Sequence, residues 1–156
     1  PVDIMFTSPA MPAMGKPPEL IPAGTTAIEL VASSTVNTDQ LPNIGGKKMS
    51  ADSLRYRFRI ERMPAPTTSQ PGGPPPVIGS EFERQIVWTS ALLKKPKVEA
   101  TVTLSNGIYG VHCEAVGVIE ENGEDRDFPV GFAMVPFMYG SANDLFGDQG
   151  KFKDFL

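Results

Sequence analysis

At 156 residues with a formal net charge of −4, the chain is long enough to bury a core as one domain without covalent staples, and its acidic balance argues against a general nucleic-acid binder, whose footprint is basic. Cys113 is its only cysteine and His112 its only histidine, which excludes an internal disulfide and any multi-cysteine zinc site and leaves a histidine-based hydrolase without material. No apolar run approaches the roughly 20 residues of a membrane span, and the N-terminus lacks the charged-then-apolar layout of a secretory signal. The expectation is a chain that acts in the compartment where it is made, or one whose signal has been removed; Pro1 fits either.

Proline and glycine punctuate the sequence unevenly. Six of the 16 prolines lie within the first 22 residues and six more between Pro64 and Pro76. Proline removes a backbone donor and stiffens φ, so these blocks read as extended arms or loops, not central strands.

In chain order, Val2 to Phe6 is a short strand candidate, followed by the arm Thr7 to Gly24. Thr25 to Val36 alternates, with Ile28 and Leu30 inward. Asn43 to Lys48 is a turn-rich loop leading into Leu54 to Arg62, LRYRFRIER, where Leu54, Tyr56, Phe58 and Ile60 share one side and Arg55, Arg57, Arg59 and Glu61 the other. A period of two sustained over nine residues marks a strand with one face in a core and one in water. Met63 to Ser80 is a long loop of polyproline character. Phe82, Arg84, Ile86 and Trp88 alternate with Glu83, Gln85 and Val87, and Val98, Ala100, Val102 and Leu104 with Glu99, Thr101 and Thr103. Tyr109 to Ile119 places Tyr109, Val111, Cys113 and Ala115 on one face. Asn122-Gly123 accepts the positive φ angles of a two-residue hairpin turn, and Asp127 to Val135 returns with Phe128, Val130, Phe132 and Met134 facing in. No segment of useful length has a 3.6-residue period, so the expected fold class is all-β: a two-sheet sandwich of about seven strands over residues 25–136, with an N-terminal strand and arm over 1–24 and an aromatic tail over 137–156. Tyr56, Phe58, Ile60, Tyr109, Val111, Phe128 and Phe132 are expected in one core.

Candidate chemistry is sparse, and each candidate has a simpler structural account. His112 and Cys113 are neighbours in a strand and must project to opposite faces, so they cannot share a metal or a proton; Cys113 reads as a small core residue and His112 as a surface one. Met5, Met11 and Met14 with His112 are soft enough for copper(I), yet methionines on a proline-flanked arm also fill shallow grooves on a neighbour, and the groove reading is preferred. The acidic turn Glu120 to Asp127 lacks the spaced pattern of a calcium loop and reads as a solvated turn. Arg55, Arg57 and Arg59, extended by Arg62, could grip an acidic surface; pairing across strands with Glu83, Glu99 or Glu114 is the preferred account. There is no glycine-rich phosphate loop, nucleophile elbow or zinc-protease motif. The expectation is therefore no catalytic residue, no cofactor, no metal, no nucleic-acid partner and no membrane.

The run Asn106-Gly107-Ile108-Tyr109-Gly110-Val111-His112-Cys113-Glu114-Ala115 followed by a hairpin resembles the penultimate strand of immunoglobulin-like and PKD-like domains. The resemblance implies that Tyr109 forms a corner, its hydroxyl bonding back to nearby backbone while its ring caps the core. It departs from the antibody pattern in lacking a cysteine pair, and Trp88 does not sit in the strand whose tryptophan packs on such a pair.

The ends are what a plain sandwich leaves over. Pro136 to Leu156 carries Phe137, Tyr139, Leu145, Phe146, Phe152, Phe155 and Leu156 among glycines and aspartates, whereas a disordered tail is normally poor in aromatics. With Met11, Met14 and Leu20 of the arm, these are the expected interface residues; Arg55, Arg57 and Arg59 are a secondary interface candidate. The expected function is a non-enzymatic assembly protein whose extended ends bind neighbouring subunits, as in a phage or virus particle, either a capsid decoration or a tail-associated subunit. The alternative is a ligand-binding module of a bacterial surface or secreted adhesin; an enzyme or copper carrier is disfavoured.

Overall fold

A computed structural model describes residues 2–41, 43–44, 47–63 and 85–141. Among them there is no α-helix. The strands are β1 (Val2–Ser8), β2 (Glu19–Ile21), β3 (Ala27–Val36), β4 (Asn43–Ile44), β5 (Lys47–Lys48), β6 (Leu54–Arg62), β7 (Gln85–Thr89), β8 (Lys97–Thr101), β9 (Gly107–Glu121) and β10 (Glu124–Tyr139). Two sheets form the sandwich. The smaller runs β1-β3-β8, the larger β2-β10-β9-β6-β7, and β4-β5 is a separate ribbon. The all-β, two-sheet expectation holds.

Alternation in the sequence becomes burial in the structure. In β6, Leu54, Tyr56, Phe58 and Ile60 are buried while the arginines between them are only partly covered. Ile28, Leu30 and Ala32 of β3 face them from the other sheet, as do Phe6 of β1 and Ala100 of β8. Phe6 and Phe58 meet edge to face at 6.2 Å, and the Tyr56 hydroxyl lies 2.8 Å from the Ser34 hydroxyl oxygen, tying β6 to β3. The β9–β10 turn is as expected: Asn122 and Gly123 have φ of 55° and 80°, and Glu121 stands opposite Glu124.

The last strand differs from expectation in two ways. It continues past Val135 to Tyr139, so Phe137 and Tyr139, expected among the interface residues of the tail, are core residues. Pro129 and Pro136 do not end it, because along Glu124–Pro136 it is flanked by β9 on one side only, and proline is tolerated on an edge. A bulge between Pro129 and Gly131 then reverses its facing. Val130, the inserted residue, points inward; downstream Val135, Phe137 and Tyr139 do. Phe132 and Met134 are turned out, and Phe132, expected in the core, is 59 % exposed. One inserted residue in a period of two exchanges the two faces of everything after it. Phe128 is partly buried against the core.

The N-terminal segment is built into the sandwich. β1 pairs antiparallel with β3, and β2 pairs parallel with Phe137 to Tyr139 of β10. Gly131 is needed where β1 crosses the bulge: a Cβ there would lie 2.6 Å from the Val2 carbonyl oxygen. The expected strand from Phe82 is observed from Gln85, and Phe82 and Arg84 lie outside the described residues.

Candidate functional site

Tyr109 anchors the core beside the C-terminal end of β10. Its ring stacks on Phe137 at 5.4 Å and meets Tyr139 edge to face at 6.5 Å. Its hydroxyl donates to the Ser105 carbonyl at 2.6 Å, four residues upstream, the local contact the tyrosine-corner resemblance implies. The Arg62 guanidinium lies over the ring, 5.9 Å from its centroid, held by Ser105 Oγ and the Asn106 carbonyl. Tyr139 Oη donates to the Thr25 carbonyl at 2.8 Å and accepts from Gly24 N at 3.1 Å. These rings hold the fold together and are closed to partners.

The arginine stripe is satisfied within the chain, though not as expected. Arg57 stands opposite Glu114 but forms its ion pair with Asp127 of β10, at 3.5 Å. Arg59 Nε donates to Glu61 of its own strand at 2.8 Å, and Arg55 donates to the Asp52 and Leu54 carbonyls. Glu99 is in the other sheet, opposite Glu29, and cannot pair with the stripe; Glu83 lies outside the described residues. His112 is less a surface residue than expected: its Nε2 is 3.0 Å from Glu61 Oε2, both side chains are only 12–18 % exposed, and Phe132 tilts over its ring at 5.4 Å. Sequence reading missed this Arg59–Glu61–His112 row, although Arg59 and Glu61 share a face two residues apart.

Cys113 is fully buried in the core opposite Phe58, and burial, aided by Glu114, pushes its thiol up to about 12. A thiol held protonated is neither a nucleophile nor a soft ligand near neutral pH. Among the described residues no group of three His, Cys, Asp or Glu side chains is arranged to hold a metal ion, and no helix is long and apolar enough to cross a membrane.

Exposed apolar side chains occur at both edges of the larger sheet: Ile86 and Val87 on β7, with Met63 and Leu92 in the chain next to it, and a second group beside β10. Met5, Met11, Leu20, Phe132 and Met134 are all exposed, Met5 at 67 %. Leu20 stands beside Met138 where β2 joins β10. Met5, Met11 and Met134 line a common groove between β1, the arm and β10, with Ile4, Ala10 and Ala133, enclosing about 680 Å³. Met11 lines this groove, Leu20 is exposed where β2 joins β10, and Met14 is fully exposed on the arm. Met134 and Phe132 were not among the expected interface residues, because the bulge that turns them outward leaves no plain mark in the sequence; Met5 belongs with Met11 and Met14 to the methionines expected to fill a groove on a neighbour. Leu145, Phe146, Phe152, Phe155 and Leu156 lie outside the described residues.

No family model matches the chain, and no curated protein or solved structure is similar to it.

Proposed function

We propose that the chain is a non-enzymatic structural subunit that assembles with other protein subunits through its β1–β10 flank and its extended ends, as a capsid decoration or tail-associated component of a phage or virus particle does. The observation that carries this reading is the groove flank. Monomeric proteins seldom leave a contiguous apolar patch in water unless it is an interaction site, and here exposed methionines and Phe132 gather along one strand pair and the arm beside it. Among the described residues the arginine stripe of the larger sheet is paired within the chain, which favours the apolar flank over the stripe as the contact surface.

The sandwich on which this flank is mounted is proposed to be immunoglobulin-like. The order β1-β3-β8 against β10-β9-β6 follows strands A-B-E and G-F-C of that architecture, and Tyr109 at the start of β9 occupies the corner position. A fold of this kind does not choose a function; the assembly reading rests on the flank.

The test is the mass of the full chain in solution across a wide concentration range, by light scattering coupled to gel filtration. A symmetric oligomer, or a ladder of multiples that grows with concentration, is expected. A monomer at every concentration sinks the reading and favours an adhesin-like module with its ligand on loops at one end of the sandwich.

A further inference from the structure

We infer that the groove between β1, the arm and β10 is the acceptor for the C-terminal segment, residues 142–156, of a second copy of the chain. This rests on the assembly reading above and names the donor and acceptor within it.

The acceptor is argued from its shape and its borders. At about 680 Å³ the groove falls within the range of pockets that enclose ligands, about 300–1,000 Å³. Its lining is apolar, and three of its side chains are methionines, which repack around irregular occupants at little cost. The strands beside it also offer backbone. β1 pairs with β3 alone, and β10 has β9 on one side while β2 covers only Phe137 to Tyr139 of the other. The stretch Phe132–Pro136 is therefore a sheet edge next to the groove, the arrangement in which an added extended segment gains main-chain hydrogen bonds from the edge and side-chain burial from the pocket.

The donor is argued from sequence and reach. Residues 142–156 continue from Ser141 and place Leu145, Phe146, Phe152, Phe155 and Leu156 among small and charged residues, an apolar complement to an apolar groove. The chain leaves β10 heading away from the groove: Ser141 is seven residues beyond Met134, about 23 Å along an extended strand. Leu145 and Phe146 follow within five residues, a reach of at most about 17 Å that falls short of Met134, whereas Phe152, Phe155 and Leu156 have the length to reach it from either copy. β2 also lies along the β10 edge between that exit and the groove. A segment arriving from a second copy meets neither restriction and can present both apolar clusters. Donor and acceptor are different surfaces, so the contact is heterologous and propagates into rings or filaments.

Two classes of full-length variant separate the halves. Met134→Lys places a charge in the groove at a partly exposed position, and Met5→Lys, at a more exposed one, serves as a second groove variant. Phe152→Ser with Phe155→Ser disables the donor. Unchanged circular dichroism and melting establish that each variant is folded. Expected in light scattering is an oligomeric wild type, monomeric single-class variants, and a heterodimer and nothing larger when groove and tail variants are mixed, because one intact tail and one intact groove remain. If the groove variants associate like wild type, this inference fails while the assembly reading stands. If the mixture stays monomeric, docking in trans is overturned. If the wild type is itself monomeric and the tail variant alone raises binding of an apolar dye, the segment covers its own chain, and both readings fall.

Discussion

The two faces of β10 are built from equally apolar side chains and meet opposite fates. Val135, Phe137 and Tyr139 are sealed into the core, Phe137 and Val135 completely, whereas Phe132 and Met134, three residues and one residue before Val135, stand in water on the flank. Hydrophobicity did not make this division. The bulge at Pro129 to Gly131 did, by inserting one residue into a period of two. Apolar character therefore says that a side chain will be buried somewhere, and strand register says whether its own chain or a neighbour does it.

The sharpest way to break this comparison is to truncate one ring on each face. Phe137→Ala removes a fully buried ring stacked on Tyr109 and is expected to destabilise the fold by about 3–5 kcal/mol, while Phe132→Ala should change it by no more than about 0.5 kcal/mol and affect association instead. Denaturant melts of the two variants decide it; equal losses would mean that Phe132 is covered by its own chain.

Cys113 and His112 carry the same contrast in chemical form. A thiol pushed up to about 12 in the folded state, from an ordinary value of 9.0, contributes stability that is fully present below pH 9 and is lost as pH rises toward 12, because only the unfolded chain ionises in that window. The melting temperature is expected to fall across that alkaline range beyond what tyrosine and lysine titration causes in Cys113→Ala. Identical alkaline slopes in the two proteins would show that Cys113 is not sealed.

Gly131 links the faces, since it sits at the bulge and under β1. Gly131→Ala forces a methyl against the Val2 carbonyl and is expected to cost about 1–3 kcal/mol through displacement of β1, with hydrogen exchange rising first in Val2 to Ser8. Protection unchanged in β1 would mean that the close approach relaxes freely. The smallest effect is expected on the charged side of the larger sheet. Arg57→Gln breaks an exposed pair with Asp127 and should lower stability by about 0–1 kcal/mol, leaving the mass in solution unchanged; a loss of association would move the interface from the apolar flank to the arginine stripe.

By itself the sequence determined the fold class, because strand alternation is a local property: LRYRFRIER can bury only one side, and its Leu54, Tyr56, Phe58 and Ile60 are buried. The Asn122-Gly123 turn and the opposite facing of Cys113 and His112 were legible for the same reason, each following from two or three adjacent residues, although His112 is more covered than an outward position implied. The candidate site was legible only in part. Met5 and Met11 were singled out as groove-filling methionines and Leu20 as an interface candidate, but Phe132 and Met134 were not singled out, and Phe137 and Tyr139 were assigned outward. Those assignments depend on where β10 slips against β9, on β2 adding in parallel at Phe137, and on β1 passing over Gly131. All three are pairings between segments more than 100 residues apart or choices of register within a long hairpin, and no window of sequence contains both partners. Only the tertiary structure decides them, since the free energy that selects one register is that of the whole buried face and not of any residue in it.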